Sequence, residues 1–110
     1  MLFRSLIVEA ETREEAAAAV RAGADAVLLD EFSPEQLSDL VPRLRQLAAQ
    51  RQACGRQVGP GPGLVLEASG VRPEQLRAYA ACGVDLISTS APITRAPWLD
   101  LSMRFEPLLA

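Results

Sequence analysis

The fold of this chain is decided by residues 12–30, TREEAAAAVRAGADAVLLD. Thr12 and Glu15 have the spacing of a capping box, which predicts that a helix begins here. The alanine-rich run that follows favours a helix, and Gly23 stands where helices commonly end in a left-handed residue. Residues 26–29 are then apolar without interruption, as in a parallel strand covered on both faces. The stretch therefore predicts one helix followed by one buried strand.

Further helix and strand signals flank this unit on both sides. Short apolar runs predict three more strands, at residues 6–8, 64–66 and 84–87. A second helix is expected from Pro34, with Ser33 as its cap, and a third from Pro73 to Gly83. Alternating strands and helices indicate an α/β fold with right-handed crossovers. We expect a partial (β/α) barrel of about four βα units with parallel strands, as a single unit over residues 1–110.

Four local features complete this prediction. The leucine stripe of the second helix is expected to be core, and Pro42 inside it predicts a kink or a break. Residues 51–63 are rich in Gly and Pro and predict a linker. Residues 99–105 alternate weakly and are expected to form a last strand. Asp25 and Asp85 each lie two residues after a Gly and directly before an apolar run, where we expect them to cap or turn the chain.

The composition excludes several classes of function. The chain has 110 residues and a net charge of −3, with no basic excess for nucleic acid and no apolar stretch of membrane-spanning length. All eleven basic residues are Arg and His is absent, which excludes a catalytic Lys and a His ligand for zinc. Cys54 and Cys82 form neither a disulfide framework nor a metal site. Arg4 and Glu9 interrupt the apolar start, so no signal peptide is expected and the location predicted is cytoplasmic.

Carboxylates and small hydroxyl side chains occur at the ends of the predicted strands. They are Glu9, Asp30 with Glu31, Glu67 with Ser69 and Gly70, and residues 88–90. In parallel α/β folds, ligands bind at the carboxyl ends of the strands. Carboxylates accept from ribose hydroxyls or hold Mg²⁺, and small turns with free N–H groups cradle phosphate. The pattern suits a sugar phosphate, although the same residue types also serve as helix caps and turns.

Five motifs then occur in a specific order along the chain. They are Val8-Glu9, residues 22–30, Glu67-Ala68-Ser69-Gly70, residues 83–88 and Ala96-Pro97-Trp98-Leu99-Asp100. In this order, over residues 6–105, the chain resembles the quinolinate phosphoribosyltransferases, also called carboxylating nicotinate-nucleotide diphosphorylases. The resemblance implies the C-terminal barrel segment of an enzyme of NAD biosynthesis. That enzyme converts quinolinate and phosphoribosyl pyrophosphate to nicotinate mononucleotide, pyrophosphate and CO₂, requires Mg²⁺, and is a homo-oligomer when intact.

The resemblance also implies roles for individual residues. Glu9 and Asp30 match the family's carboxylates near the ribose and the metal. Ser69 and Gly70 match part of its phosphate-binding loop, and Ser90 falls where many relatives have a glycine at a second phosphate contact. These residues are expected to bind substrate, with Glu9 and Asp30 as metal ligands, and no catalytic residue is assigned.

The chain departs from the family pattern at several positions. Glu31 stands where the family commonly has Asn, Val71 where many relatives have a second glycine, and Ile7 where an acidic residue is common. The family's basic residues lie in an N-terminal domain and early barrel strands that are absent here, so we expect the chain to be inactive alone. Residues 89–92 also resemble a paralogous group linked to molybdenum transport. A non-catalytic truncated copy that only self-associates and a standalone sugar-phosphate binding module are compatible with the sequence as well.

Overall fold

The protein forms one parallel sheet covered by helices on one face. The computed structural model describes residues 5–53 and 63–108. Its strands are β1 (Ile7–Ala10), β2 (Ala26–Leu29), β3 (Val65–Ala68) and β4 (Leu86–Ile87). All are parallel, in the order β1-β2-β3-β4. Because each strand pairs with its neighbour in the sequence, the connections follow the succession of a (β/α) barrel. The prediction of a partial barrel of four βα units is confirmed.

The helices follow the capping signals of the sequence. They are α1 (Arg13–Ala22), α2 (Pro34–Ala53), α3 (Leu76–Ala80) and α4 (Ala91–Thr94), and a 3₁₀ turn at Pro73–Gln75 leads into α3. At the start of α1, Glu15 N–H donates to Thr12 Oγ1 at 3.2 Å and the Glu15 carboxylate accepts from Thr12 N–H, so the predicted capping box is confirmed. Gly23 ends the helix with φ 105°.

The core lies between the sheet and the helices, on the face formed by alternate strand residues. Leu29 and Leu66 of the sheet are buried there, as are Leu37 and Leu44 of α2. On the opposite face Ile7 is 64% exposed, and no helix of the described chain covers it. In a closed barrel this second face would line the interior. Glu9 of β1 and Glu67 of β3 project from that open face.

Two aspartates tie the beginnings of neighbouring strands together. Asp25 Oδ2 accepts from Leu6 N–H at 2.7 Å, and Asp85 Oδ2 accepts from Leu66 N–H at 2.8 Å. Arg45 Nη2 also donates to Asp85 Oδ1 at 2.9 Å. These aspartates were expected to cap or turn the chain, and the structure instead shows each of them accepting from a backbone N–H of the neighbouring strand.

Arg51 is a structural residue in a segment that the sequence assigned to a linker. The linker prediction is wrong at residues 51–53, because α2 extends to Ala53. The Arg51 guanidinium is buried and donates to Val20 O at 2.8 Å and to Ala24 O at 2.9 Å. It thereby holds the C-terminal end of α1, where Val20 O also accepts from the capping Gly23 N–H at 3.2 Å, to Ala24 just beyond the helix. The remainder of the predicted linker, with Cys54, lies largely outside the described residues.

Three other local predictions differ from the structure. The break at Pro42 does not occur, because α2 buries leucines on both sides of the proline and their packing offsets the lost backbone hydrogen bond. The third helix begins at Pro73 as a 3₁₀ turn, and its α-helical part ends at Ala80, short of Gly83. Residues 99–105 form no strand, because β4 offers only two paired residues as an edge.

The described part of the chain contains no helix with the length and apolarity to cross a bilayer.

Candidate functional site

A group of carboxylates lies at the carboxyl ends of β1 and β2. Glu9 is within β1, Asp30 follows β2, and Asp30 N–H donates to Ala10 O at 3.0 Å, which continues the pairing of the two strands. One carboxylate oxygen from each of Glu9, Glu11 and Asp30 lies within 4.8 Å of the others. The structure thus brings together the two carboxylates singled out as metal ligands. Such a set of oxygen donors fits a hard divalent cation.

Glu11 is a member of this group that sequence reasoning missed. It lies two residues after Glu9, and alternate residues of an extended chain point to the same side. That spacing is the signal that could have identified it. Glu9 and Glu11 are exposed and Asp30 is half-buried, so the group opens to solvent at the strand ends.

A cavity of about 280 Å³ adjoins the carboxylates. It is lined by Asp30, Glu31, Phe32, Ser33, Ser69, Gly70 and Tyr79. Ser69 N–H donates to Leu29 O at 3.0 Å, which fixes the start of its turn beside β2. Gly70 has φ 69°, and a Cβ there would lie 3.6 Å from Asp30 Oδ1. Asp30, Ser69 and Gly70, which the sequence placed at two different strand ends, therefore share one cavity.

Ser90 lies at the same edge of the sheet but outside this lining. The loops after β3 and β4 touch, because Val71 N–H donates to Ser88 O at 3.2 Å. Ser90 is exposed and precedes α4, where its carbonyl accepts from Ile93 N–H at 2.9 Å. Among the residues that the structure describes, Ser90 does not line the cavity that holds Asp30 and Ser69.

The turn between β2 and α2 has an unusual backbone. Glu31 has φ 61°, the left-handed region that Asn and Gly adopt more readily than Glu. Tyr79 O–H, from α3, donates to Phe32 O at 2.7 Å. Burial raises the pKa of the Tyr79 phenol above its ordinary value, so the hydroxyl stays protonated as a donor at neutral pH. The contact of Tyr79 was not visible in the sequence. For Glu31, the Asn that the family commonly has at this position was a signal that sequence reasoning missed.

The electrostatics of the site favour cations over anions. The described lining of the cavity carries two carboxylates and no arginine, and Glu9 and Glu11 stand beside it. Polyanionic substrates are repelled by such a surface unless a metal ion or cationic side chains offset the charge. The arrangement can hold a divalent cation or the hydroxyls of a sugar, while phosphate binding needs positive charge from elsewhere.

Comparison with known proteins identifies the family. The family model described as quinolinate phosphoribosyl transferase, C-terminal domain, matches residues 2–104. The chain belongs to this family. The match covers nearly the whole sequence, so the resemblance inferred from the ordered motifs is confirmed.

Named relatives of the quinolinate phosphoribosyltransferase family are similar along most of this chain. A probable carboxylating nicotinate-nucleotide pyrophosphorylase of Synechocystis sp. is 38% identical over 102 residues, which are 90% of this chain and 30% of the relative. A putative pyrophosphorylase ModD of Escherichia coli O157:H7 is 35% identical over 104 residues, 94% of this chain and 32% of the relative. The chain thus spans about a third of the length of these curated relatives.

The fold agrees with a solved member of the quinolinate phosphoribosyltransferase family. The nicotinate-nucleotide pyrophosphorylase from Francisella tularensis superposes with a TM-score of 0.61 and 29% identity. The alignment covers 80% of this chain and 26% of that structure. The half-barrel described above therefore corresponds to one segment of a larger family fold.

Proposed function

We propose that this chain is the C-terminal barrel segment of a phosphoribosyltransferase of NAD biosynthesis. The reaction converts quinolinate and phosphoribosyl pyrophosphate to nicotinate mononucleotide, pyrophosphate and CO₂. The observation that carries the proposal is the meeting of Glu9, Glu11 and Asp30 within 4.8 Å, beside the turn of Ser69 and Gly70. Relatives that are 33–38% identical and named as carboxylating nicotinate-nucleotide pyrophosphorylases support the choice of reaction.

In the proposed site, carboxylates bind the ribose and Mg²⁺, and small residues bind phosphate. Glu9 and Asp30 accept hydrogen bonds from ribose hydroxyls and hold Mg²⁺, with Glu11 as a further oxygen donor. Mg²⁺ supplies positive charge that offsets the pyrophosphate. Ser69 and Gly70 bind phosphate, since the turn has no Cβ at Gly70 to block its approach. Ser90 is proposed as a second phosphate contact from the neighbouring loop.

The segment needs the remainder of the enzyme to act. Because the described lining is acidic, the cations that grip two anionic substrates must come from other parts of the protein. We therefore propose that the chain is inactive alone. The intact enzyme is proposed to be a homo-oligomer, as the family resemblance implies, and to be located in the cytoplasm.

Complementation tests this proposal. The chain is joined to the part of the Synechocystis relative that precedes its matched region, and product is followed by chromatography with quinolinate, phosphoribosyl pyrophosphate and Mg²⁺. We expect nicotinate mononucleotide from the joined protein and none from the chain alone. Glu9→Gln should lower the rate at least about tenfold, because it removes a charged ligand from the carboxylate group. A folded joined protein that forms no nicotinate mononucleotide would contradict the proposed reaction.

The paralogue named putative pyrophosphorylase ModD supports a second candidate function. Its 35% identity over 94% of this chain is close to the value for the Synechocystis protein. In this second function, the same carboxylates and phosphate turn serve a different acceptor from quinolinate. Under this second function, the joined protein would still bind phosphoribosyl pyrophosphate with Mg²⁺ but would form no nicotinate mononucleotide.

A further inference from the structure

The turn after β2 holds a residue in a strained conformation at the edge of the candidate site. Glu31 has φ 61°, which crowds the side chain of a non-glycine residue. Strained backbone persists only where surrounding contacts determine it, and such strain concentrates at functional sites. Contacts around the turn must therefore hold Glu31 in this conformation.

The two ends of the turn are fixed by local hydrogen bonds. Before Glu31, Asp30 N–H donates to Ala10 O of β1 at 3.0 Å. After it, Ser33 N–H donates to Gln36 Oε1 at 2.8 Å, and Gln36 N–H donates to Ser33 Oγ at 3.2 Å. These contacts belong to the sheet and to the cap of α2. Ser33 N–H belongs to the same planar peptide group as the Phe32 carbonyl, so its bond to Gln36 holds one side of that group. The carbonyl oxygen on the other side needs a different partner.

That carbonyl is held from a distant part of the chain. Tyr79 lies 47 residues after Phe32, and its O–H donates to Phe32 O at 2.7 Å. The Phe32 side chain is itself buried, and the Tyr79 ring packs against the core, so both partners are fixed in place. The hydroxyl of Tyr79 therefore contacts the backbone of the strained turn directly.

Relaxation of the turn at Glu31 would affect the carboxylate group through Asp30. The φ angle of Glu31 is set by the peptide group that joins it to Asp30. We therefore expect relaxation of Glu31 to rotate that peptide group and to shift the Asp30 carboxylate. That carboxylate lies within 4.8 Å of those of Glu9 and Glu11. The Oδ1 atom of Asp30 also lies 3.6 Å from the Cβ position of Gly70, so the cavity depends on the same placement.

We infer that Tyr79 is a positioning residue, whose hydroxyl holds the strained turn at Glu31 and thereby keeps the Asp30 carboxylate in the site. The functional part of this inference rests on the proposed function, because it assigns Asp30 to ligand binding. The structural part, that the hydroxyl holds the turn, stands independently of any ligand.

Amide hydrogen exchange of the whole chain, followed by NMR, tests the structural part. Tyr79→Phe keeps the ring and removes the hydroxyl. We expect the amides of Asp30 and Ser33 to exchange about tenfold faster, while amides within β2 and β3 keep their wild-type rates, since one hydrogen bond is worth about a factor of ten in local opening. Arg77→Gln, an exposed change on the same helix, serves as the control and should leave both sets unchanged.

A compensating variant distinguishes strain from simple packing. Glu31→Gly added to Tyr79→Phe should bring exchange at Asp30 and Ser33 back towards the wild-type rate, because Gly adopts positive φ without steric cost. The inference is overturned if Tyr79→Phe leaves these amides unchanged or accelerates all amides alike. Failure of Glu31→Gly to compensate would overturn the role of strain.

Binding of Mn²⁺ alone, measured by calorimetry, tests the link to the site. Wild-type chain is expected to bind Mn²⁺, and Tyr79→Phe to weaken its Kd about three- to tenfold. If Tyr79→Phe accelerates exchange at Asp30 and Ser33 but leaves the Kd for Mn²⁺ unchanged, the inference that Tyr79 positions Asp30 is overturned. If the wild-type chain binds no Mn²⁺, the proposed metal site fails, and the exchange experiment still decides whether the hydroxyl holds the turn.

Discussion

At the residue scale, neighbouring groups cap the two ends of α1, whereas the turn at Glu31 contacts a hydroxyl from a distant part of the chain. Thr12 and Glu15, three residues apart, gave the start of α1, and Gly23 gave its end, because capping needs only neighbouring groups. Tyr79 was missed, since its role depends on a carbonyl 47 residues away. The positive φ of Glu31 was missed as well, although Asn, which the family commonly has at this position, adopts that conformation more readily.

The strain at Glu31 predicts a stabilising substitution. Glu31→Gly should raise the free energy of unfolding by about 0.5–1 kcal/mol, because Gly removes the steric cost of positive φ but adds freedom to the unfolded chain. Glu35→Gly is the matched control, since Glu35 lies in the first turn of α2, and Gly there should lower stability by about 1 kcal/mol. Urea unfolding measures both. A destabilising effect of Glu31→Gly would contradict the strain assigned to this turn.

At the element scale, periodicity located the strands and helices but not their exact ends or their partners. The apolar stripe of α2 was strong enough to predict a buried helix, yet Pro42 suggested a break that does not occur. Residues 99–105 alternate as a strand does, but a strand needs an edge to pair with, and β4 pairs over two residues only. Such outcomes depend on tertiary partners, which a pattern within one segment does not contain.

The unbroken course of α2 predicts that Pro42 destabilises it. Pro42→Ala should restore a backbone N–H donor and remove a clash with the preceding turn, which raises the free energy of unfolding by about 1–3 kcal/mol. Thermal unfolding followed by circular dichroism measures the change, with Pro34→Ala at the first helical position as a control of small effect. A lower melting temperature for Pro42→Ala would contradict this prediction and show that Pro42 stabilises the protein.

At the scale of the whole molecule, the described sheet exposes apolar surface. Ile7 and Leu86 of the open face are 64% and 52% exposed, and the tail from Trp98 onwards carries further exposed apolar side chains. Within residues 5–53 and 63–108, the outer strands β1 and β4 also have unpaired edges. Surfaces of this kind are normally covered by further protein.

This exposure predicts self-association of the isolated chain. Light scattering after size-exclusion chromatography should find dimers or larger species, and the double variant Ile7→Lys with Leu86→Lys should shift them towards monomer by placing charge on the open face. Arg77→Gln, a change at an exposed and already polar residue of α3, is the control. A wild-type chain that remains monomeric at high concentration would argue against this expectation.

The central claim is that the strand ends gather Asp30 with Glu9 and the phosphate turn into one substrate site. The most direct measurement is kcat/KM for phosphoribosyl pyrophosphate in the protein joined to the remainder of a relative, comparing Asp30→Asn with Glu106→Gln in the exposed tail. We predict that Asp30→Asn lowers kcat/KM by about 100-fold or more, since a charged contact to ribose or metal is lost, and that Glu106→Gln leaves it unchanged. Equal activity of the two variants would contradict the claim.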